Sequence, residues 1–417
     1  MQADITIPYA IADFAELREQ GYYYVDKTKY IVSLERYKAP VFLRPRRFGK
    51  SLWVSTLAYY YDINAADRFD TLFGGTYIGA HPTSQHNRYM VLQFDFSVLQ
   101  PSNNTEELKE NFNERICRTL KNFVRAKTLY ARFFEDFSFS NEHKASTMLE
   151  DILEHIRGYD LPRLYILIDE YDNFTNQLLT TYQDTLYETV TTGDSFLCSF
   201  FKVIKSGLGR STIRTCFCTG VLPVTMDDLT SGYNVAQILT LEPSFLEMLG
   251  FNHEEASTYL RYVIDKYGEE KGIFDEIWRP ILNNYDGYRF LPGANPIFNP
   301  TVLSYFFQQF AVNHGSNPYV MNDDHLHIDI NRIRRLMQIM ENGKEIIDSL
   351  VMDNKLPYCI ADLHHTFDNE NLFNRKFYPA ILYYLGVTTL KDEMSMCLPN
   401  LIMRRIFIGY FNERYKR

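Results

Sequence analysis

Tryptophan is nearly absent from this chain, with 2 residues in 417, against 31 tyrosines and 31 phenylalanines. The aromatic share of 15% is therefore almost all Tyr and Phe, and it supplies ample material for large cores. Cysteine is sparse at 6 residues. Cys117, Cys198, Cys359 and Cys397 stand alone, and Cys216 and Cys218 lie two apart in an apolar run. Two apart on one strand they face the same side, which suits neither a disulfide nor a zinc knuckle, so the six read as reduced thiols. Positive charge is not in excess: the formal net charge is −9. No global cationic field draws the chain to nucleic acid or to an anionic membrane, although local basic patches stay open.

Long apolar runs are missing as well. No stretch of 18 apolar residues occurs, so no spanning helix is predicted. The segment from Met1 to Pro8 has neither a basic n-region nor an apolar h-region and does not read as a signal peptide. Internal repeats and low-complexity tracts are also absent. The chain reads as a soluble, cytoplasmic protein. Its 46% hydrophobic and 23% charged residues are globular values, and its length gives a prior of two to three domains.

The first half alternates apolar strand-like runs with helical patterns, the signature of an α/β fold. Strands are predicted at 40–43, 89–96, 164–168, 213–218 and 237–241, and helices at 51–61, 105–124 and 148–156. The run Leu164-Tyr-Ile-Leu-Ile168 suits a central parallel strand buried on both faces. After about Pro243 the strand runs fade. Helical patterns follow at 253–267, 274–282, 301–310, 328–340 and 382–385, punctuated by prolines at 292, 296 and 300.

Arg44-Pro-Arg-Arg-Phe-Gly-Lys-Ser51 follows the first apolar run and opens a helix. That is the setting a phosphate-binding loop needs. Backbone N–H groups of the loop and of the helix N-terminus would hold phosphate oxygens. Arg46, Arg47, Phe48, Gly49 and Leu52 belong to this cradle; Arg46 and Arg47 would contact the γ-phosphate or bind a partner's acidic surface, against a reading as solvent-exposed positive charge. Lys50 would reach the β- and γ-phosphates, and the Ser51 hydroxyl would sit on Mg²⁺. Gly49 permits the close backbone approach before the lysine. The general pattern has Gly where this chain has Arg44. The competing reading is a basic surface turn that caps a helix.

The second half of the constellation is Asp169-Glu170, at the end of the 164–168 run. Open α/β sheets bind ligands at the C-terminal edge of their strands. Asp169 would hold Mg²⁺ directly or through water, and Glu170 would polarise the attacking water. A strand followed by an acidic helix start is the competing reading. A further strand ends in Thr219-Gly220, where a polar side chain can sense the γ-phosphate; Thr219 is the candidate, against a plain β-branched strand residue.

At these residues the chain resembles the AAA-ATPase-like proteins abundant in Bacteroidetes and related bacteria, which often carry a C-terminal PD-(D/E)XK nuclease domain. The resemblance rests on Ile11-Ala-Asp-Phe14, Tyr22-Tyr-Tyr-Val-Asp-Lys-Thr28, Phe42 to Ser51, Leu164 to Asp172, Thr219-Gly-Val-Leu-Pro223, Ser231-Gly-Tyr-Asn234, Leu249-Gly-Phe251, Tyr285-Asp-Gly-Tyr-Arg-Phe290 and Phe298-Asn-Pro300, and it reaches to about residue 415. The family's own loop replaces the first Gly. The resemblance implies an additional-strand P-loop core over residues 1–243, a helical lid over 244–315, and a small, mostly helical C-terminal part over 316–417, open to a winged-helix-like arrangement. It implies ATP and Mg²⁺ as ligands, with Lys50, Ser51, Asp169 and Glu170 in the roles above. Tyr24, Asp26 and Lys27 precede the first core strand, a place near the nucleotide in related ATPases. The Tyr-Asp-Gly-Tyr segment would lie in the lid, with Asp286 where the family usually has Asn, and Arg289 is a further γ-phosphate candidate. No Glu-x-Lys or Gln-x-Lys strand with an upstream Asp follows Leu398, so nuclease activity is not expected.

His325 and His327 lie two apart, and His364 and His365 are adjacent, but no cysteine stands near the first pair and both read as polar loops. Arg404-Arg405 and the cluster at 414–417 read as a solvated helix face. The expected function is a Mg²⁺-dependent ATPase acting as a nucleotide-driven switch. A non-hydrolysing regulatory module and a DNA-acting ATPase are the alternatives. A protein partner or homo-oligomer is compatible with this reading, and the acidic balance disfavours nucleic acid.

Overall fold

The computed structural model describes residues 6–99, 102, 104–125, 128–173, 195–223, 234–268, 273–313, 315, 336–338, 340, 342–364 and 374–415. The chain opens with two short helices, α1 (Phe14–Glu19) and α2 (Lys29–Leu34). Strand β1 (Pro40–Leu43) leads through the Arg-rich loop into α3 (Lys50–Tyr61). Strand β2 (Met90–Asp95), helices α4 (Thr105–Arg125) and α5 (Ala145–Gly158), and strand β3 (Leu164–Asp169) follow. Helix α6 (Phe196–Gly209), strand β4 (Ile213–Gly220) and strand β5 (Gln237–Ile238) complete the first half. Helices α7 (His253–Tyr267), α8 (Phe274–Tyr285), α9 (Pro300–Val312) and α10 (Gly343–Met352) come next. The last elements are β6 (Leu356–Pro357), α11 (Tyr378–Tyr384), β7 (Thr389–Leu390), β8 (Ser395–Cys397) and α12 (Leu401–Tyr415).

Strands β1 to β5 form one sheet in the order β2-β3-β4-β1-β5, and every pairing is parallel. The α/β fold expected from the alternating pattern is the one observed. Strand β4 stands between β1 and β3, so the two strands that carry the candidate motifs are neighbours of one strand and not of each other. Period-two alternation divides the sheet's side chains between two cores. Phe42, Val91, Tyr165, Leu167 and Phe217 face α1, α2 and α3. Val41, Leu43, Leu92, Phe94, Ile166, Ile168, Cys216 and Cys218 face α4, α5 and α6. The thiols of Cys216 and Cys218 lie 3.8 Å apart on that face, as their spacing predicts.

Helices α7, α8 and α9 build a third core with Ile402 of α12 and with Ile7 from the N-terminal segment. Tyr23 stacks flat on Tyr259 at 4.1 Å, and the Lys27 ammonium reaches both carboxylate oxygens of Glu255 at 2.6 Å. The N-terminal segment thereby spans the α/β part and the helices. Strands β6, β8 and β7 form a small antiparallel sheet at the C-terminal end. Its strands are two or three residues long, too short for alternation to be read from the sequence. Of the predicted helix at 328–340, residues 328–335 and 339 fall outside the described residues, as do His325, His327 and His365.

Arg44 joins the parts. Its guanidinium is fully buried and donates to the carbonyls of Leu43, Thr240 and Leu246, each at 3.0 Å. It lies 4.4 Å from the Phe42 ring centroid and 3.7 Å from that of Phe290. Burial lowers its pKa to about 10, so it stays charged at neutral pH. Among the described residues it forms no ion pair. Carbonyl dipoles and aromatic faces hold the charge instead.

Replacing Arg44 by Ala strands three carbonyls, each worth about 1 kcal/mol or more when buried unpaired. A loss of about 3 kcal/mol in denaturant unfolding is expected. Arg44→Lys should recover little of it, because a point ammonium cannot reach three carbonyls in a plane. Unfolding midpoints equal to wild type for both variants would contradict this account.

Candidate phosphate-binding site

The site lies at the C-terminal edge of β1 and β3. The loop 44–49 turns on two left-handed residues, Arg47 at φ 69° and Gly49 at φ 86°. Left-handed turns of this kind gather backbone N–H groups into an anion nest. Gly49 bears the turn without strain and is the cap residue of α3, whose first two residues are Lys50 and Ser51. Beside the loop opens a cavity of about 560 Å³, lined by Arg46, Arg47, Gly49, Lys50, Ser51 and Glu170 among others. The loop's donors and the cavity fit a polyphosphate.

The acidic half meets the basic half directly. Ser51 Oγ donates to Asp169 Oδ2 at 2.5 Å, across 118 positions of sequence. A hydroxyl and a carboxylate in contact at the sheet edge are a hard-oxygen pair, a donor set that fits Mg²⁺. The Lys50 ammonium is buried and donates to the Arg44 and Pro45 carbonyls at 3.0 and 3.1 Å. Its charge is thus held by the loop's own dipoles.

Other segments hold the loop from outside. Phe48 is fully buried and meets Tyr288 and Phe290 edge-on at 5.2 and 5.6 Å. Asn299 Nδ2 donates to the Arg46 carbonyl at 3.3 Å, and Thr301 Oγ1 to the Arg47 carbonyl at 2.9 Å. Both residues sit at the start of α9, where Asn299 also caps the helix.

Residues 8–230 match the AAA-ATPase-like family, described as predicted AAA-ATPase. This chain belongs to that family. It is also similar to a protein from Azotobacter chroococcum mcd 1 described as an uncharacterized protein in the vnfD 5' region. The two are 26% identical over 315 residues, which is 73% of this chain and 52% of the relative. The chain therefore spans about half the length of that relative.

For this AAA-ATPase-like chain, the residues named from sequence divide into two groups. Arg46, Arg47, Gly49, Lys50, Ser51, Leu52 and Glu170 line the cavity, and Asp169 joins them through Ser51. Phe48 belongs to the loop but points into the core. The others lie elsewhere. Asp26 caps the turn before α2, accepting from Thr28 N at 2.8 Å and Tyr77 N at 2.6 Å. Lys27 is spent on Glu255, and Tyr24 packs edge-on against Phe14. Thr219 is buried and donates to the Phe42 carbonyl at 2.9 Å, bridging β4 and β1. Arg289 pairs its backbone with the Thr389 hydroxyl on the small sheet.

The cavity also contains residues that the sequence reading did not assign to the site. Ala10, Ile11 and Ala12 of the N-terminal segment, Ser97 after β2, Asn173 and Thr301 all line it. Asn173 had a readable signal in its place four residues after Asp169, and its Nδ2 donates to the Phe96 carbonyl at 2.8 Å. The others come together only through the fold.

Behind the acidic pair lies a third carboxylate. Buried Asp172 accepts from Val221 N at 3.1 Å and from Leu222 N at 2.7 Å. It fills the space above Gly220, where any Cβ would overlap it. The ends of β3 and β4 are locked together there.

Burial dominates the electrostatics of the site. It raises the Asp169 pKa, against the Ser51 hydrogen bond and the Lys50 charge. It raises that of Glu170 against Lys50 and Arg46, and lowers that of Lys50 against the carboxylates. Glu170 also sits at φ 51°, a left-handed backbone that non-glycine residues rarely adopt. Charge and strain are thus stored at one residue.

A raised Glu170 pKa means that the folded chain holds its proton more tightly than the unfolded chain does. The ionised form therefore costs stability, and that cost appears as pH rises from the ordinary 4.5. Glu170→Gln should raise the Tm of the nucleotide-free protein at pH 7, and the gain should vanish below about pH 4. Thermal melts at the two pH values check this, and equal Tm values at pH 7 would contradict it.

Proposed function

We propose that this protein binds ATP with Mg²⁺ in the loop 44–51 cavity and hydrolyses it, with the state of the phosphates setting the posture of the segments that hold the loop. The observation that carries the reading is the 2.5 Å hydrogen bond from Ser51 to Asp169. It unites two motifs that a basic surface turn and an unrelated acidic helix start would leave apart. Mg²⁺, when bound, neutralises charge on the phosphate oxygens. Ser51 and Asp169 would hold it. Lys50 exchanges its two loop carbonyls for phosphate oxygens. Glu170 orients water and accepts its proton, a task that its raised pKa suits. Thr219 acts by position, keeping β4 in register with β1.

In this reading residues 1–243 are the ATPase core, 244–315 the lid, and 316–417 the C-terminal domain. The separate core of α7, α8 and α9 supports the lid, and its route to the nucleotide is Asn299, Thr301 and Phe48. Nucleotide exchange would then move the lid through the loop it grips. The absence, among the described residues, of a helix long and apolar enough to cross a membrane accords with a soluble setting.

Calorimetry with ATP·Mg and a phosphate-release assay on the full chain test the reading. Lys50→Ala is expected to abolish both binding and turnover. Glu170→Gln should retain binding and lose turnover by about 100-fold or more. Unchanged binding in Lys50→Ala would refute the site. Binding without turnover in wild type would instead favour the non-hydrolysing regulatory module.

A further inference from the structure

A water molecule that attacks phosphorus must be aimed as well as deprotonated. It has two hydrogens, so a base that accepts one leaves its orientation open until a second acceptor takes the other. In some GTPases a side-chain amide orients the water. Besides Ser51, which is bonded to Asp169, three neutral polar residues line the cavity with Glu170: Ser97, Asn173 and Thr301. Their commitments differ. Thr301 spends its hydroxyl proton on the Arg47 carbonyl at 2.9 Å. Ser97 is exposed, and a hydroxyl can turn to donate or to accept. Asn173 is 5% exposed, and its amide is fixed.

We propose that Asn173 is the second acceptor for the attacking water, so that its amide oxygen and the Glu170 carboxylate together hold the two hydrogens of one molecule. The proposal rests on the ATP reading above and adds the group that aims the nucleophile.

The chemistry of the amide fixes which end does what. Asn173 Nδ2 lies 2.8 Å from the Phe96 carbonyl and 3.5 Å from that of Ser97. A carbonyl only accepts, so the amino end of the amide must face this pair and the oxygen end must turn from it. Among the described residues nothing donates to that Oδ1. An acceptor on so buried a side chain finds its donor in a ligand or a water. The backbone then ties this acceptor to the base. Asn173 N donates to the Glu170 carbonyl at 3.0 Å, closing a turn over 170–173. Glu170 opens the turn at φ 51°, and Asp172 within it is pinned to the backbone of Val221 and Leu222. Phe96 N in turn donates to the Asp169 carbonyl at 3.0 Å. Amide, base and strand ends form one closed set, and groups so held lose little freedom when they meet water. The left-handed backbone of Glu170 has a use in this arrangement, since the turn it begins brings both acceptors into one cavity.

The step balances without a further reactant. The water oxygen forms a bond to the γ-phosphorus as the bond from that phosphorus to the β–γ bridging oxygen breaks. The electron pair of the broken bond leaves with ADP, and one water proton passes to the Glu170 carboxylate. The other stays on the oxygen, hydrogen-bonded to Asn173, which neither gains nor loses a proton.

The test uses the full chain, ADP·Mg and two phosphoryl mimics: beryllofluoride for the bound ground state, and fluoroaluminate with its axial water for the transferring group. Wild type should bind ADP more tightly with either. Asn173→Ala should bind ATP, and ADP with beryllofluoride, within about threefold of wild type. It should lose most of the fluoroaluminate tightening and about 100-fold in turnover, with KM little changed. Asn173→Leu, which fills the same volume without an acceptor, should behave alike. In a Glu170→Gln background, Asn173→Ala should cost less than about threefold more, because the two groups act on one water. Circular dichroism melts establish that each variant is folded. A residue that only ties β2 to the turn would weaken ATP and both mimics together. That pattern, retained tightening in folded Asn173→Ala or Asn173→Leu, or full additivity with Glu170→Gln would overturn the assignment. So would a greater loss of tightening in Ser97→Ala than in Asn173→Ala. A wild type that binds ATP without fluoroaluminate tightening overturns it too, and leaves ATP binding standing. A wild type that binds no ATP overturns both readings.

Discussion

A single buried cation organises this molecule. The Arg44 guanidinium ends strand β1, reaches the segment after β5 through Thr240 and Leu246, and lies against Phe290 from the far half of the chain. A charge taken out of water needs compensation, and three carbonyls and two rings provide it. Those groups come from three separate stretches of sequence, 42–43, 240–246 and the one at Phe290. Its two terminal nitrogens find acceptors only when all of them have arrived, while its buried Nε has no hydrogen-bond partner, so its burial is a condition on the whole fold. The loop that follows inherits the result, since Pro45 and Phe48 sink into the same surroundings.

Around that anchor the site is built from opposites. Lys50 and the carboxylates of Asp169 and Glu170 are each pushed toward neutrality by burial and pulled back by one another. Such a set is held ready for a ligand that brings its own charge. Asp172 does the mechanical work behind it, binding the backbone of β4 to the turn that follows β3.

Much of this was legible in the sequence for simple reasons. The continuous apolar run 164–168 suits a strand covered on both faces, and an Asp-Glu that ends such a strand stands at the edge of the sheet. The Gly-Lys-Ser sequence before a helical pattern fixed the other half. What stayed hidden depends on long-range packing. Arg44 counts as a surface cation until the fold supplies carbonyls 196 and 202 positions away. Asp26 resembles a site residue until its carboxylate is seen capping a turn against Tyr77, 51 positions away. The small sheet of β6, β7 and β8 was invisible because strands of two or three residues carry no period.

The grip on the loop has a consequence for inheritance. Residues 8–230 carry the family match, yet the side chains that clasp the loop, Tyr288, Phe290, Asn299 and Thr301, all lie beyond it. Two regions that meet at one turn cannot drift independently. A change in the shape of Phe48 asks for an answer at Tyr288 and Phe290, and a chimera joining one relative's first half to another's second would have to carry that lock and key together. The loop and its clasp are therefore one hereditary unit, although more than 230 residues separate their ends in the chain.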